Sequence, residues 1–168
     1  MKILFVLRHG KAEGHSGAGD FARKLTLAGE ADAAQAGNSI AENTRVLAGD
    51  EAVSTALLVS SDALRASSTA QIVANAFVPT STVLYDHGIY DASAGDLLDI
   101  VRSIPNQEDI AVVVGHNPGL EDLISTLSDD MSRTVGLSPA SYAQMELDVD
   151  SWVDVNPGCG QIVFIFVP

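Results

Sequence analysis

Short apolar runs and longer polar-apolar stretches alternate along the chain. Residues 2–7 form a continuous run rich in branched side chains, the pattern of a strand buried on both faces. Four Gly and one Ser within residues 10–20 read as a loop. Residues 26–43 are Ala-rich with scattered Glu, Asp and Gln, a helical composition that Gly29 and Gly37 weaken. Residues 54–59 read as a second strand. Residues 63–77 read as a second helix, with Ser60, Ser61 and Asp62 as capping candidates. A strand at 82–85, a helix at 94–103, a strand at 110–114 and a helix at 118–127 follow. Two further strands, 142–149 and 161–167, are joined by a turn-rich stretch containing Asn156, Pro157 and Gly158.

Strand and helix alternating in this way predict an α/β fold, with a mostly parallel central sheet and helices on both faces. The C-terminal pair, with no helix between its members, predicts one antiparallel strand. No internal repeat or low-complexity linker interrupts the pattern, so residues 1–168 are expected to form a single domain.

Composition narrows the partners. The chain has 22 Asp+Glu against 9 Lys+Arg, a net charge of −13, and a single Cys. One Cys makes no intramolecular disulfide, which excludes a stapled secreted scaffold. Long-range repulsion disfavours nucleic acid as a partner. The apolar run at 3–7 is too short for a signal peptide and no stretch reaches ~20 residues, so a cytoplasmic protein without a membrane anchor is expected. The charge is uneven: residues 1–65 hold 7 Lys+Arg and 8 Asp+Glu, whereas residues 66–168 hold only Arg102 and Arg133 against 14 acids. The early arginines are therefore concentrated where a task could use them.

Ligands of open α/β sheets bind beyond the carboxyl ends of the strands. Three such ends carry chemistry. The first strand exits into Arg8-His9-Gly10, the second runs toward Ser60-Ser61-Asp62 with Arg65 following, and the strand at 110–114 delivers Gly115-His116-Asn117-Pro118-Gly119. Arg65 near a helix N-terminus opposes the macrodipole, and its local alternative is an ion pair with Asp62. Asn117 as N-cap before Pro118 would turn backbone N–H groups toward an anion. Each residue alone has an ordinary structural explanation. Together, two arginines and two histidines describe a pocket for a phosphoryl group. A neutral His can attack phosphorus, and a second His opposite it can stabilise the transferring charge. No His/Cys/Asp cluster has metal-ligand spacing, so side chains must supply the positive charge and no cofactor is expected.

At these residues the chain resembles the histidine phosphatase superfamily, with a phosphoglycerate mutase-like fold. The blocks are Leu7-Arg8-His9-Gly10-Lys11-Ala12, Ser60 to Arg65 and Gly115-His116-Asn117. The run from Asp20 through Arg23 to Thr26 with Gly29, and the run from Gly115 to Glu121, resemble the small SixA-type phosphohistidine phosphatase branch. The resemblance implies His9 as nucleophile, with Arg8, Arg65 and His116 holding the phosphoryl group and Arg23 as a further contact. Asn117 joins the phosphate-binding residues through its place as N-cap. Larger family members carry a carboxylate acid on an insertion, and the roughly fifty residues between Arg65 and His116 leave no room for a large cap. The branch often shows Tyr-Glu-Ala here, where this chain has Tyr90-Asp91-Ala92. Asp91 is thus a possible general acid and Asp86 another, and a surface cap is the alternative for both.

A weak acid suits phosphohistidine, whose imidazole leaves readily, whereas expelling an alkoxide gains ~10²–10⁴-fold from a proton donor. The partner expected is a phosphorylated protein such as a histidine phosphotransfer domain, reached through an open pocket. Two rivals stand beside this reading: a phosphatase of small phosphate esters, and a non-catalytic phosphate-binding module. Other signals are weaker. The G-x-G-x-x-A match at 17–22 lies too far past the first strand for a dinucleotide fingerprint. Cys159 reads as a turn residue, Trp152 as packing, and His15 and His87 as solvated.

Overall fold

The computed structural model describes residues 1–48, 56–77, 81–130 and 134–168. Six strands form one sheet: β1 (Lys2–Arg8), β2 (Leu57–Ser60), β3 (Val83–Tyr85), β4 (Ile110–Gly115), β5 (Tyr142–Leu147) and β6 (Gly160–Phe166). Their spatial order is β3-β2-β4-β1-β5-β6. The first four run parallel, and β5 is antiparallel to both β1 and β6. Four helices cover the sheet: α1 (Leu27–Ala48), α2 (Leu64–Ala74), α3 (Ala94–Arg102) and α4 (Gly119–Leu127). This is the expected mostly parallel α/β sheet with one antiparallel strand. Of the strand expected at 54–59, Ser54 and Thr55 lie outside the described residues, as does Arg133.

The continuous apolar runs are explained by burial on both faces. In β1, Leu4 and Val6 join a core with Leu97, Val101, Leu120 and Trp152, under α3 and α4. Ile3, Phe5 and Leu7 alternate to the other side, where Ile40, Ala70 and Val73 of α1 and α2 meet Tyr142. Trp152 is fully buried as packing, its indole N–H donating to the Glu108 carbonyl at 2.6 Å.

Two local expectations differ. Helix α1 runs past Asn43 to Ala48, with Thr44 buried beneath it and Arg45 paired with Glu42 one turn back. Its two glycines are close-approach positions rather than breaks. A Cβ on Gly29 would collide with the Lys11 backbone, and one on Gly37 would stand 3.0 Å from Val73 Cα. Helix α2 begins after Ala63 with no side-chain cap, so none of Ser60, Ser61 and Asp62 caps it. Ser61 instead accepts from the Ala63 N–H at 3.2 Å, and Asp62 pairs with His87. Side-chain caps lie elsewhere: Ser93 and Asp96 form a reciprocal capping box in α3, and Thr26 Oγ1 accepts from the Gly29 N–H at 3.0 Å at the start of α1.

Candidate active site

Strands β1 and β4 are neighbours in register, Arg8 opposite Gly115, so His9 and His116 emerge side by side one residue later. Their rings lie 5.0 Å apart. Strand β2 pairs with the far side of β4 and leads into α2, which turns Arg65 toward the same point. All seven residues expected at the site, Arg8, His9, Arg23, Arg65, Asp91, His116 and Asn117, line one cleft of about 310 Å³. A cavity of about 360 Å³ elsewhere is lined by Asp129, Glu146 and Asp148, a set that repels anions.

His9 is 8% exposed. Its Nδ1–H donates to the Gly10 carbonyl at 2.8 Å, because a carbonyl only accepts, and this leaves the lone pair on Nε2. Arg65 Nε–H donates to that lone pair at 3.3 Å. Burial, followed among the lowering influences by the charges of Arg65, Arg8 and Arg23, brings the His9 pKa down to about 4, against an opposing push from the Gly10 carbonyl. His116 falls to about 3, through burial first and then the neighbouring His9 and Arg65. Both rings are neutral near pH 7, which a nucleophilic imidazole requires.

Arg8 donates from Nη1 to the Leu137 carbonyl at 2.7 Å. Asn117 donates to the same carbonyl at 3.0 Å and to Glu121 Oε1 at 2.6 Å, and Glu121 also accepts from the Leu137 N–H at 2.7 Å. Asn117 therefore braces the loop at residue 137 and is not the N-cap of α4. That cap position is Pro118, without a side-chain bond. His116 Nε2 shares a hydrogen bond of 3.0 Å with Ser61 Oγ.

Buried polar atoms nearly always have partners. Among the described residues four buried side-chain atoms lack one, and three of the four belong to Arg8 (Nε), His116 (Nδ1) and Asn117 (Oδ1). All three residues line the cleft.

The partner of Arg65 is Asp20 rather than Asp62. Arg65 Nη1 donates to the Asp20 carbonyl at 2.8 Å and Nη2 to Asp20 Oδ2 at 3.0 Å. Asp20 Oδ1 accepts from Arg23 Nε at 2.8 Å, and Oδ2 from the Tyr90 hydroxyl at 2.7 Å. The Tyr90 hydroxyl, then Arg65 and Arg23, hold the Asp20 carboxyl at about 2, well below the usual carboxylate range. Tyr90 meets the His116 ring edge-on at 5.5 Å. Phe21 packs against Tyr90 and His87; His87 is exposed, as expected, and bonds Asp62 at 3.1 Å.

Of the two acid candidates, Asp86 accepts from the Gly88 N–H at 2.7 Å and caps a 3-10 turn (His87–Ile89). Asp91 lines the cleft with a φ of 55°, a conformation that costs most residues strain. Sequence reasoning missed Asp20, Tyr90 and Glu121 as parts of the site. The spacing of Asp20 three residues before Arg23 was the available signal. Among the described residues no group of three His, Cys, Asp or Glu side chains could hold a metal ion, and no helix is long and apolar enough to cross a membrane.

No family model matches the sequence, and no curated protein matches it. Solved structures do. A protein histidine phosphatase SixA complexed with tungstate aligns with a TM-score of 0.78 at 19% identity, over 97% of this chain and 95% of that one. A candidate phosphohistidine phosphatase SixA from Agrobacterium tumefaciens aligns at 0.77 and 23%, over 99% and 98%. A mycobacterial glucosyl-3-phosphoglycerate phosphatase aligns at 0.64 and 18%, over 96% and 97%. The fold is therefore the SixA-like, phosphoglycerate mutase-like fold that the sequence blocks imply.

Proposed function

We propose that the chain is a single histidine phosphatase domain, a phosphatase whose chemistry passes through a phosphohistidine on His9. The observation that carries the reading is the neutral, buried His9 with its Nε2 lone pair turned to Arg65, in a cleft that Arg8, His116 and Asn117 also line. The Nε2 lone pair attacks phosphorus in line as the bond from phosphorus to the leaving atom breaks, and the leaving group takes a proton. Arg8, Arg65 and His116 stabilise charge on the phosphoryl oxygens, with Arg23 and Asn117 on the rim. Water then attacks phosphorus, the P–N bond returns its pair to Nε2, and inorganic phosphate departs.

Phosphohistidine on a protein is the substrate this site suits best. Between Arg65 and His116 the described residues form the rest of α2, then β3, the 3-10 turn, α3 and β4, all parts of the central sheet and its cover. No cap therefore encloses the cleft from the described part of that segment. A second reading, hydrolysis of small phosphate esters, is favoured by Asp91, the one carboxylate lining the cleft. The test is rapid acid-free quenching with a ³²P-labelled phosphohistidine protein and with a labelled sugar phosphate. An acid-labile phosphoenzyme that His9→Ala abolishes is expected, with the phosphoprotein turned over faster. Preference for the sugar phosphate overturns the substrate assignment, and label retained in His9→Ala overturns the mechanism. Tight phosphate binding with no turnover of either would instead identify a binding module.

A further inference from the structure

We infer that Asp20 is a positioning residue for Arg65: by occupying one edge of the guanidinium, it aims the other edge at the phosphoryl group on His9. The inference rests on the functional reading above and concerns the same site.

A guanidinium is a planar fork of five N–H donors, and its two edges cannot face the same acceptor. The outer edge of Arg65 is taken by Asp20, Nη1 to the carbonyl at 2.8 Å and Nη2 to the carboxylate at 3.0 Å. Planarity then fixes the inner edge, and its Nε points at His9 Nε2. That last contact is 3.3 Å, the longest of the three, so it is the one most easily exchanged for a phosphoryl oxygen. The remaining N–H of Nη2 adds to Nε the bidentate geometry that phosphate favours.

Asp20 is itself held. Its two carboxylate oxygens take Arg23 Nε and the Tyr90 hydroxyl, and the Arg65 guanidinium lies 5.9 Å over the Tyr90 ring. One carboxylate therefore sets three side chains from three separate segments. A competing view makes the carboxylate a resident substitute for phosphate, which must leave before substrate binds. The geometry opposes that view, because Asp20 engages the edge of Arg65 turned away from His9.

The two views separate on Asp20→Asn, which keeps the shape but removes the charge and puts a donor amide where donors converge. The Asp20 side chain is about half exposed (52%), so the fold does not depend on it. Rapid-quench bursts of His9 phosphorylation with para-nitrophenyl phosphate, and calorimetric binding of inorganic phosphate, are compared for wild type, Asp20→Asn and Asp20→Glu. Misaiming Arg65 should slow the burst roughly 10–100-fold in Asp20→Asn, with partial recovery in Asp20→Glu. Phosphate affinity should change less than about threefold, since a ground-state contact survives a small rotation. Tyr90→Phe, which removes one bond to the same carboxylate, should slow the burst severalfold and covers the case of an unfolded Asp20 variant. A wild-type burst in Asp20→Asn overturns the inference alone. So does tighter phosphate binding without a slower burst, or an equal loss in both measurements. Absence of any phosphoenzyme in the wild-type protein overturns the functional reading and the inference with it.

Discussion

Acidification should destabilise the protein through His9 and His116 before Asp20 titrates. An unfolded His takes up its proton near pH 6.5, whereas the native rings stay neutral down to about 4 and about 3. Between these values the unfolded chain binds more protons than the native one, so stability falls as pH falls. At about pH 5 the unfolded rings are some 1.5 pH units past their midpoint, and at ~1.4 kcal/mol per unit each costs roughly 2 kcal/mol. The two together remove roughly 4 kcal/mol between about pH 8 and pH 5, a large share of the 5–15 kcal/mol typical of a folded domain. Asp20 acts at much lower pH, since its carboxyl is held at about 2. Urea unfolding of wild type, His9→Gln and His116→Gln at both pH values isolates the effect, because every other titrating group is common to the three. Each variant should lose roughly 2 kcal/mol less than wild type over the interval. A His9→Gln curve with the wild-type pH dependence would refute the assignment of His9 as a buried, neutral ring.

Further outcomes follow from single contacts. Asp91→Asn should slow hydrolysis of an alkyl phosphate by ~10²-fold or more and leave phosphohistidine turnover nearly unchanged, measured side by side by phosphate release. Gly29→Ala drives a methyl into the Lys11 backbone and should cost about 1–3 kcal/mol, visible as a melting temperature several degrees lower. Trp152→Ala removes a fully buried indole and should cost about 3–5 kcal/mol in urea unfolding. Efficiency on anionic substrates should rise as salt shortens the Debye length from ~30 Å at 0.01 M toward ~8 Å at 0.15 M, because 14 of the 22 acids follow residue 65. A steep fall instead would show that the cleft's arginines govern encounter.

The central strands were legible because β1, β2 and β4 are apolar and buried on both faces, so the run at 3–7 could belong only to the middle of a covered sheet, whereas β3 and β6 at its edges are largely exposed. The site was legible for the same reason: residues at the carboxyl ends of parallel strands share one rim, and Arg8, His9, Arg65 and His116 do so. What escaped was set by tertiary distance. Arg65 had a plausible partner in Asp62, three residues away, but takes Asp20, 45 positions distant. Asp62 in turn is drawn to His87. Asn117 has the residue type of an N-cap, yet the Leu137 carbonyl and Glu121 claim its amide. Polar side chains choose among partners that only the folded chain assembles, and local spacing ranks just the nearest.

The pairing of Arg8 with Gly115 sets what this site can and cannot vary. The gap between the two imidazoles is inherited from one rung of main-chain hydrogen bonding, about 4.8 Å across neighbouring strands, and no side-chain substitution tunes it. Inserting or deleting one residue inside β1 or β4 would present the wrong side chain at the rim and turn the strand's apolar set over to the opposite face. Length changes are instead tolerable in the exposed stretch from Glu13 to Gly19, which leaves that rung untouched. The two imidazoles are thus held where the strands meet, by the part of the chain least open to change in length.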